Sequence, residues 1–230
     1  MKYWYQQCLA AIESIRNQIS KCLIGICPEI DIGQYVENSS SNNRYIPPLG
    51  TVVNRSQTPF ALFEFLDDTH RLIHLKLIKL REFLELPQFP VLNHDERLTL
   101  EKICRFFDTE AKEHHLDEEL HIFPILQQNN DVNVRNLANQ LQIDHGWIEE
   151  NWMELSPQFK AVINRNTWFE EKELQRCLEV FELLYAQHMH LEESLAYPQV
   201  KLAVTSWNPD SIGREMTRRR KHIREHTGLG

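Results

Sequence analysis

Between Pro59 and Pro198 the chain carries one pattern four times: a long run with an apolar side chain every three or four positions, closed by proline or an asparagine cluster. The first run, about Pro59 to Leu86, aligns Leu62, Leu66, Ile73, Leu77, Leu80 and Leu84 and ends before Pro87 and Pro90. The second, about Asp95 to Gln128, carries Leu98, Ile103, Phe106, Phe107, Leu120 and Phe123, with a late kink expected at Pro124 and a break at Asn129-Asn130-Asp131. The third, about Val132 to Glu154, carries Leu137, Leu141, Trp147, Ile148 and Leu155 and stops at Ser156-Pro157. The fourth, about Thr167 to Tyr197, carries Phe169, Leu174, Leu178, Phe181, Leu184, Leu191 and Leu195 and stops at Pro198. Each such stripe must be buried by neighbours, so four of them with short connections predict an all-α, up-down four-helix bundle. Only 7 Gly in 230 residues leave few sites for tight hairpins, and strand-like alternation is missing. Trp147, Trp152, Trp168, Met153 and Met189 are expected to pack within the bundle.

The bundle is expected over residues 59–226, ending in a short, basic carboxyl-terminal helix. Residues 1–58 read as a separate arm and linker. Tyr5, Leu9, Ile12, Ile15 and Ile19 make an amphipathic helix that Pro28 stops, and it suits packing across the bundle or an oligomer contact. The stretch with Asn38-Ser39-Ser40-Ser41-Asn42-Asn43 and Pro47-Pro48-Leu49-Gly50 cannot pack a core. No apolar run is long enough to cross a bilayer, and polar residues interrupt what would be a secretory signal, so a cytoplasmic protein without a membrane partner is expected. Five scattered Cys without a Cys-x-x-Cys pair argue against a disulfide framework or thiolate zinc site and for reduced, buried thiols. A net charge of −8 gives no global attraction to nucleic acid. The cationic run Arg214, Arg218, Arg219, Arg220, Lys221 and Arg224 reads as a solvated helix end.

Chemistry enters with the histidines. The second helix holds His114-His115-Leu116-Asp117-Glu118-Glu119 and the fourth holds His188-Met189-His190-Leu191-Glu192-Glu193, both His-x-x-x-Glu followed by a further Glu. Residues i and i+4 share a helix face, so an imidazole and a carboxylate from each helix can converge. The first and third helices each add a histidine preceded by acid, Asp68-Thr69-His70 and Asp144-His145. The two halves of the chain therefore share one plan, and a symmetric bundle would gather four imidazoles and two carboxylates in its core.

This order of residues resembles the hemerythrin-like (HHE cation-binding) family, bacterial type. Phe106-Phe107-Asp108 and the stretch from His114 through Pro124 are similar to its second helix, Tyr185-Ala186-Gln187-His188 through Tyr197-Pro198 to its fourth, and Ile212 through Arg219 to a common ending. The likeness covers about Pro59 to Lys221. It implies that His70, His114, Glu118, His145, His188 and Glu192 are metal ligands, with Glu118 and Glu192 bridging a dinuclear, oxo- or hydroxo-bridged iron centre. Imidazole with carboxylate suits iron or manganese, and six such donors exceed the four-coordinate plan of structural zinc. Two histidines per iron would leave an open position for a small diatomic ligand such as dioxygen or nitric oxide.

Oxygen carriers of that family place His-x-x-x-His in the third helix, whereas Glu149 follows His145 here, which favours redox sensing or iron handling over reversible oxygen carriage. A di-iron oxidase or peroxidase, and a bundle keeping its metal only for stability, stand as alternatives. Within the site, His74 is the alternative to His70, the pair His115 and Glu119 is the alternative to His114 and Glu118, and Glu149 is a candidate extra ligand. Asp68, Asp117 and Asp144 are candidate acceptors for ligand imidazoles. His121, His190 and Glu193 are expected on the flank, and His94 beside a helix cap at Asn93.

Overall fold

Asn93 opens the second arm of the fold through a reciprocal cap: its side chain accepts from the Glu96 N–H at 3.0 Å, and the Glu96 carboxylate accepts from the Asn93 N–H at 2.7 Å. A computed structural model describes residues 59–203 together with 212, 215, 216, 218 and 219. The arm and linker expected over residues 1–58, and Arg214, Arg220, Lys221 and Arg224 of the basic run, lie outside the described residues. Among the described residues there are helices and no strand. They run α1 (Pro59–Leu84), α2 (His94–Asp108), α3 (Glu110–His121), α4 (Phe123–Gln127), α5 (Val132–Ile163), α6 (Glu171–Leu191), a π-helical turn (Glu192–Ala196) and α7 (Tyr197–Ala203). None is long and apolar enough to cross a membrane.

The four arms alternate in direction. Phe63 near the start of α1 meets Tyr197 at the end of the fourth arm, while Arg81 near the end of α1 pairs with Glu182 on α6. Phe107 of α2 packs on Trp152 of α5 and Phe181 of α6, with ring centroids 4.9 and 5.3 Å away. At the other end Phe123 of α4 lies against His145 of α5. The result is the up-down bundle that four stripes demand, with Leu66, Ile73, Leu80, Leu100, Leu141, Leu155, Phe159, Leu174 and Phe181 sealed in the core.

Local chemistry moves the helix boundaries away from the sequence expectation in three places. The second arm bends at Thr109, where no proline or glycine stands: the Thr109 hydroxyl donates to the Arg105 carbonyl at 2.9 Å, a back-bond that bends helices. Asp108 anchors that bend by accepting from Trp152 at 2.8 Å and Lys160 at 3.0 Å. The late kink expected at Pro124 is a break at Ile122, between α3 and α4, with Pro124 in the first turn of α4, where its missing N–H costs nothing.

The third arm runs through Pro157 to Ile163 instead of stopping at Ser156. An internal proline costs about 3 kcal/mol. Burial of Leu155, Phe159 and Val162 along the continuing stripe returns about 1.5–3 kcal/mol each, so the helix persists. It closes at Asn164: the Arg165 N–H donates to the Val162 carbonyl at 3.1 Å and the Asn166 N–H to the Ala161 carbonyl at 2.9 Å, with Arg165 at φ 59° in the left-handed region that glycine prefers. The fourth arm contains a π turn that adds one residue to a helical turn, so Leu195, expected inward, is 37% exposed and Ala196 and Tyr197 are buried instead. Trp168 and Met153, expected to pack, are 62% and 63% exposed; Leu98 and Leu120 also face outward. Cys104 and Cys177 are free and buried.

Two substitutions should stabilise the metal-free chain. Gly146 is an exposed interior residue of α5 with nothing within 4 Å of where a Cβ would stand, so Gly146→Ala is expected to raise the unfolding free energy by about 0.5–1 kcal/mol in a denaturant titration. Arg165→Gly should add about 1 kcal/mol by removing the left-handed penalty. Phe181→Ala should cost about 3–5 kcal/mol.

Candidate metal centre

Helix α3 lacks the apolar stripe of the other long helices, and it buries His114, His115, Asp117 and Glu118 beside Ala111. Burying so many ionisable groups is unfavourable unless each finds a partner. The other arms meet them with more polar side chains: His70 from α1, Asp144 and His145 from α5, His188 from α6 and Glu192 from the first residue of the π turn. The i,i+4 spacing brings His114 to Glu118 and His188 to Glu192 within their own arms.

Glu118 and Glu192 sit at the middle, and each divides its two oxygens between two pairs of histidines. Glu118 Oε1 lies 3.5 Å from His114 Nε2 and 3.9 Å from His70 Nε2, while its Oε2 lies 3.4 Å from His145 Nε2. Glu192 Oε2 lies 3.2 Å from His70 Nε2, while its Oε1 lies 3.1 Å from His188 Nε2. Two donor groups result, His70, His114, Glu118 and Glu192 on one side and Glu118, His145, His188 and Glu192 on the other. Within each group the donor atoms fall within 4.8 Å of one another.

The residues fit a metal. Both ring nitrogens of His114, Nδ1 of His188, Glu118 Oε2 and both oxygens of Glu192 are buried without a hydrogen-bond partner. Such orphaned atoms are costly in a native core unless an ion takes them up. The His145 and His188 Nε2 atoms face each other 3.1 Å apart, a separation that two nitrogens reach when both stand ~2.1 Å from one ion at a right angle.

Electrostatics among these side chains reflect burial set against their contacts. Burial disfavours the His70 and His188 cations, but the carboxylates beside them overcome it and raise both to about 10. Burial and the neighbouring Glu192 charge push Glu118 up to about 8. Glu192, equally buried, is held well below the usual carboxylate range by His188 and His70. His114 and His145 are pushed down chiefly by burial, and so is His115, to about 4.

Around the donors lies an outer set of contacts. His70 Nδ1 meets Glu193 Oε1 at 2.8 Å and His145 Nδ1 meets Glu119 Oε1 at 2.9 Å, which fixes each ring and leaves Nε2 aimed inward. Glu193, expected on the flank, is therefore part of the site. Glu119 serves His145 and not His115, so the alternative pair His115 and Glu119 does not form. Asp144 Oδ2 stands 3.9 Å from His188 Nδ1, and Gln140 donates to its Oδ1 at 2.8 Å. Asp117 receives Arg219, which also donates to Glu113 at 2.7 Å and to Glu215 at 3.3 Å. One cation of the basic run is thus pinned to the outer side of α3. Asp68 pairs with Arg71, and His121 lies 3.0 Å from Glu215. His74 is exposed, and Glu149 lies at His115, 3.8 Å from its Nδ1, outside both donor groups.

Tyr197 has no forerunner in the site expected from sequence. Its phenol donates to Glu118 and stands 3.3 Å from His70 Nε2, with its ring stacked on that of His70. The π turn brings it there. In an unbroken helix the residue inward after His188 and Glu192 would be Leu195, and one inserted residue rotates the rest of the arm by about 100°. His115, weighed from sequence only as an alternative to His114 paired with Glu119, is buried with its ring 4.1 Å from that of His145. Its place just after His114 was the available signal.

A model of the hemerythrin HHE cation binding domain matches residues 61–200. An uncharacterised protein of Haemophilus influenzae is 33% identical over 96 residues. That match covers 42% of this chain and 54% of the relative, so the chain spans about half of that relative's length.

The protonation pattern has a measurable consequence. A histidine whose folded value is raised holds its proton more tightly in the folded chain; its contribution is complete below about 6.5 and is lost as pH rises towards about 10. Glu118, raised to about 8, acts in the same direction. The unfolding free energy of the metal-free chain is therefore expected to fall between about pH 7 and 10. Metal uptake near neutral pH should release protons, and metal affinity should weaken as pH falls. Calorimetry in buffers of different ionisation enthalpy reads the release directly, and uptake without protons would contradict this charge pattern.

Proposed function

Because the chain belongs to the hemerythrin HHE cation-binding domain family, we propose that it holds a dinuclear non-haem iron centre and uses it to bind a small diatomic ligand, for redox sensing or iron handling. The observation that carries this reading is the division of oxygens: Glu118 and Glu192 each turn one oxygen to His70 or His114 and the other to His145 or His188. Carboxylates so placed would serve as shared ligands, and His70 and His114 would hold one ion while His145 and His188 would hold the other. A pair of imidazole- and carboxylate-bound irons supplies electron exchange and affinity for dioxygen or nitric oxide, and manganese fits the same donors.

The chain's own residues do the rest. Glu193 and Glu119 orient His70 and His145, and Tyr197 donates its phenol O–H to Glu118 beside the His70 ring. Phe107, Phe123 and Tyr185 close the surrounding core against water. The anionic share of the donor set stabilises oxidised iron, which favours sensing or handling over reversible carriage. Free, buried Cys104 and Cys177 are in keeping with a reducing compartment such as the cytosol.

Elemental analysis of protein purified without chelators should find about two irons per chain, and the visible spectrum should respond to azide and nitric oxide. His114→Ala and Glu192→Ala should each lower iron content to about one per chain or less. Zinc alone, or no metal after anaerobic reconstitution, would overturn the proposal, and sustained turnover of peroxide would move it to an enzyme.

A further inference from the structure

Helix α3 is broken off from its neighbours at Thr109 and Ile122, and among its buried side chains only Ala111 is apolar. Apolar packing therefore does little to fix the rotation of this helix, although that rotation aims His114 and Glu118. The grip comes from the adjacent stripe. Glu113, Asp117 and His121 follow one another at i,i+4 spacing, one residue and about 100° round from His114 and Glu118. All three meet the carboxyl-terminal segment: Arg219 donates to Glu113 at 2.7 Å and to Asp117, and Glu215 Oε2 lies 3.0 Å from His121 Nε2. Glu215 and Arg219 are themselves four residues apart and bonded at 3.3 Å, so the segment runs antiparallel to α3 along this stripe. Met216, next to Glu215, is buried, which anchors the segment by apolar area as well as by charge.

These contacts are not loose surface pairs. The Asp117 side chain is fully enclosed, and those of Glu113 and Arg219 are each 16% exposed. A guanidinium presents its donors in a fixed fork and here engages three carboxylates at once, which the single ammonium of lysine does less well. Taking the cation away from a buried carboxylate is strongly unfavourable, and the relief open to α3 is to turn Asp117 towards water. Asp117 directly precedes Glu118, so that turn carries a ligand candidate with it. We infer that Arg219 is a positioning residue of the metal centre: held to Asp117 and Glu113, it fixes the rotation of α3 and keeps His114 and Glu118 aimed at the ions. The inference rests on the metal reading above. It gives the carboxyl-terminal segment a share in metal retention, although none of its described residues belongs to either donor group.

Arg219→Gln tests it, because glutamine stays polar while removing the charge and the fork. Measured well below the unfolding transition, amide exchange over residues 110–121 of the metal-free variant is expected to be faster than in the wild type. The folded variant should hold metal at least about tenfold more weakly in chelator competition, with Arg219→Lys falling between the two. A residue that only stabilised the fold would lower the unfolding midpoint without changing metal affinity in the folded chain. Wild-type metal affinity in folded Arg219→Gln, or unchanged exchange in α3, overturns the inference and leaves the metal reading intact. A wild-type chain that takes up no pair of ions overturns the metal reading and removes the centre that Arg219 would position. Should Arg219→Gln fail to fold, the wild-type chain loaded with zinc decides. Coupling is reciprocal, so metal must tighten the hold of Arg219 on α3, and the Arg219 Nε–H should exchange with solvent more slowly than in the metal-free chain. Equal rates overturn the inference.

Discussion

Burial of two carboxylates and several imidazoles at one point in the core is the constraint around which this bundle is arranged. Leucine in those positions would cost far less to bury, yet Glu118 and Glu192 are fully enclosed and bring carboxylate oxygens within 4.8 Å of each other. Like charges at such a distance cannot both stay ionised without cations between them. In the metal-free chain the compensation comes from protons, on His70, His188 and Glu118. Divalent or trivalent ions would replace those protons with stronger and more localised charge, and would also satisfy the oxygens and nitrogens that now lack partners.

The irregularities of the fold cluster around this point. The bend at Thr109 separates an apolar helix from one whose buried face is polar, and α3 is thereby free to present His114, His115 and Glu118 to three neighbouring arms. The π turn begins at Glu192 itself and swings Tyr197 onto Glu118 and His70. Such turns cost regular hydrogen bonding and are found at functional sites, where re-aiming a side chain outweighs that cost. Below the site, Phe181 meets Phe107 and Tyr185 edge to face and stacks on Trp152, and the large buried area of these rings supplies the stability against which the polar centre is held.

Much of the architecture was legible in the chain. The stripes through Leu66, Ile73 and Leu80, through Ile103 and Phe107, through Leu141 and Ile148, and through Leu174 and Phe181 are all buried in the structure. The repeated order of His70, His114-x-x-x-Glu118, His145 and His188-x-x-x-Glu192 also placed those side chains on inward faces. Helix ends were harder to read. Pro157 looked like a stop because proline is unfavourable in isolation, and only the burial of Phe159 and Val162 beyond it outweighs that local cost. The exposed Trp168 shows the converse, since apolar character alone does not say which face a residue near a helix end will take.

By itself, then, the sequence determined four helices, their alternating directions and the inward register of one histidine on each, because periodicity and i,i+4 spacing are local properties of a single helix. Tertiary structure decided which groups meet across helices: Glu119 on His145, Glu193 on His70, Arg219 on Asp117, and His115 against His145. The break at Thr109 re-aims α3 relative to α2, and the π turn adds one residue, about 100° of rotation, to the fourth arm. No proline or glycine stands at Thr109, whereas Pro198 follows the π turn inside the continuing helix. Each of these irregularities exists because packing and polar contacts from other arms outweigh the small cost of breaking a regular helix, and that balance is struck only when the arms are assembled.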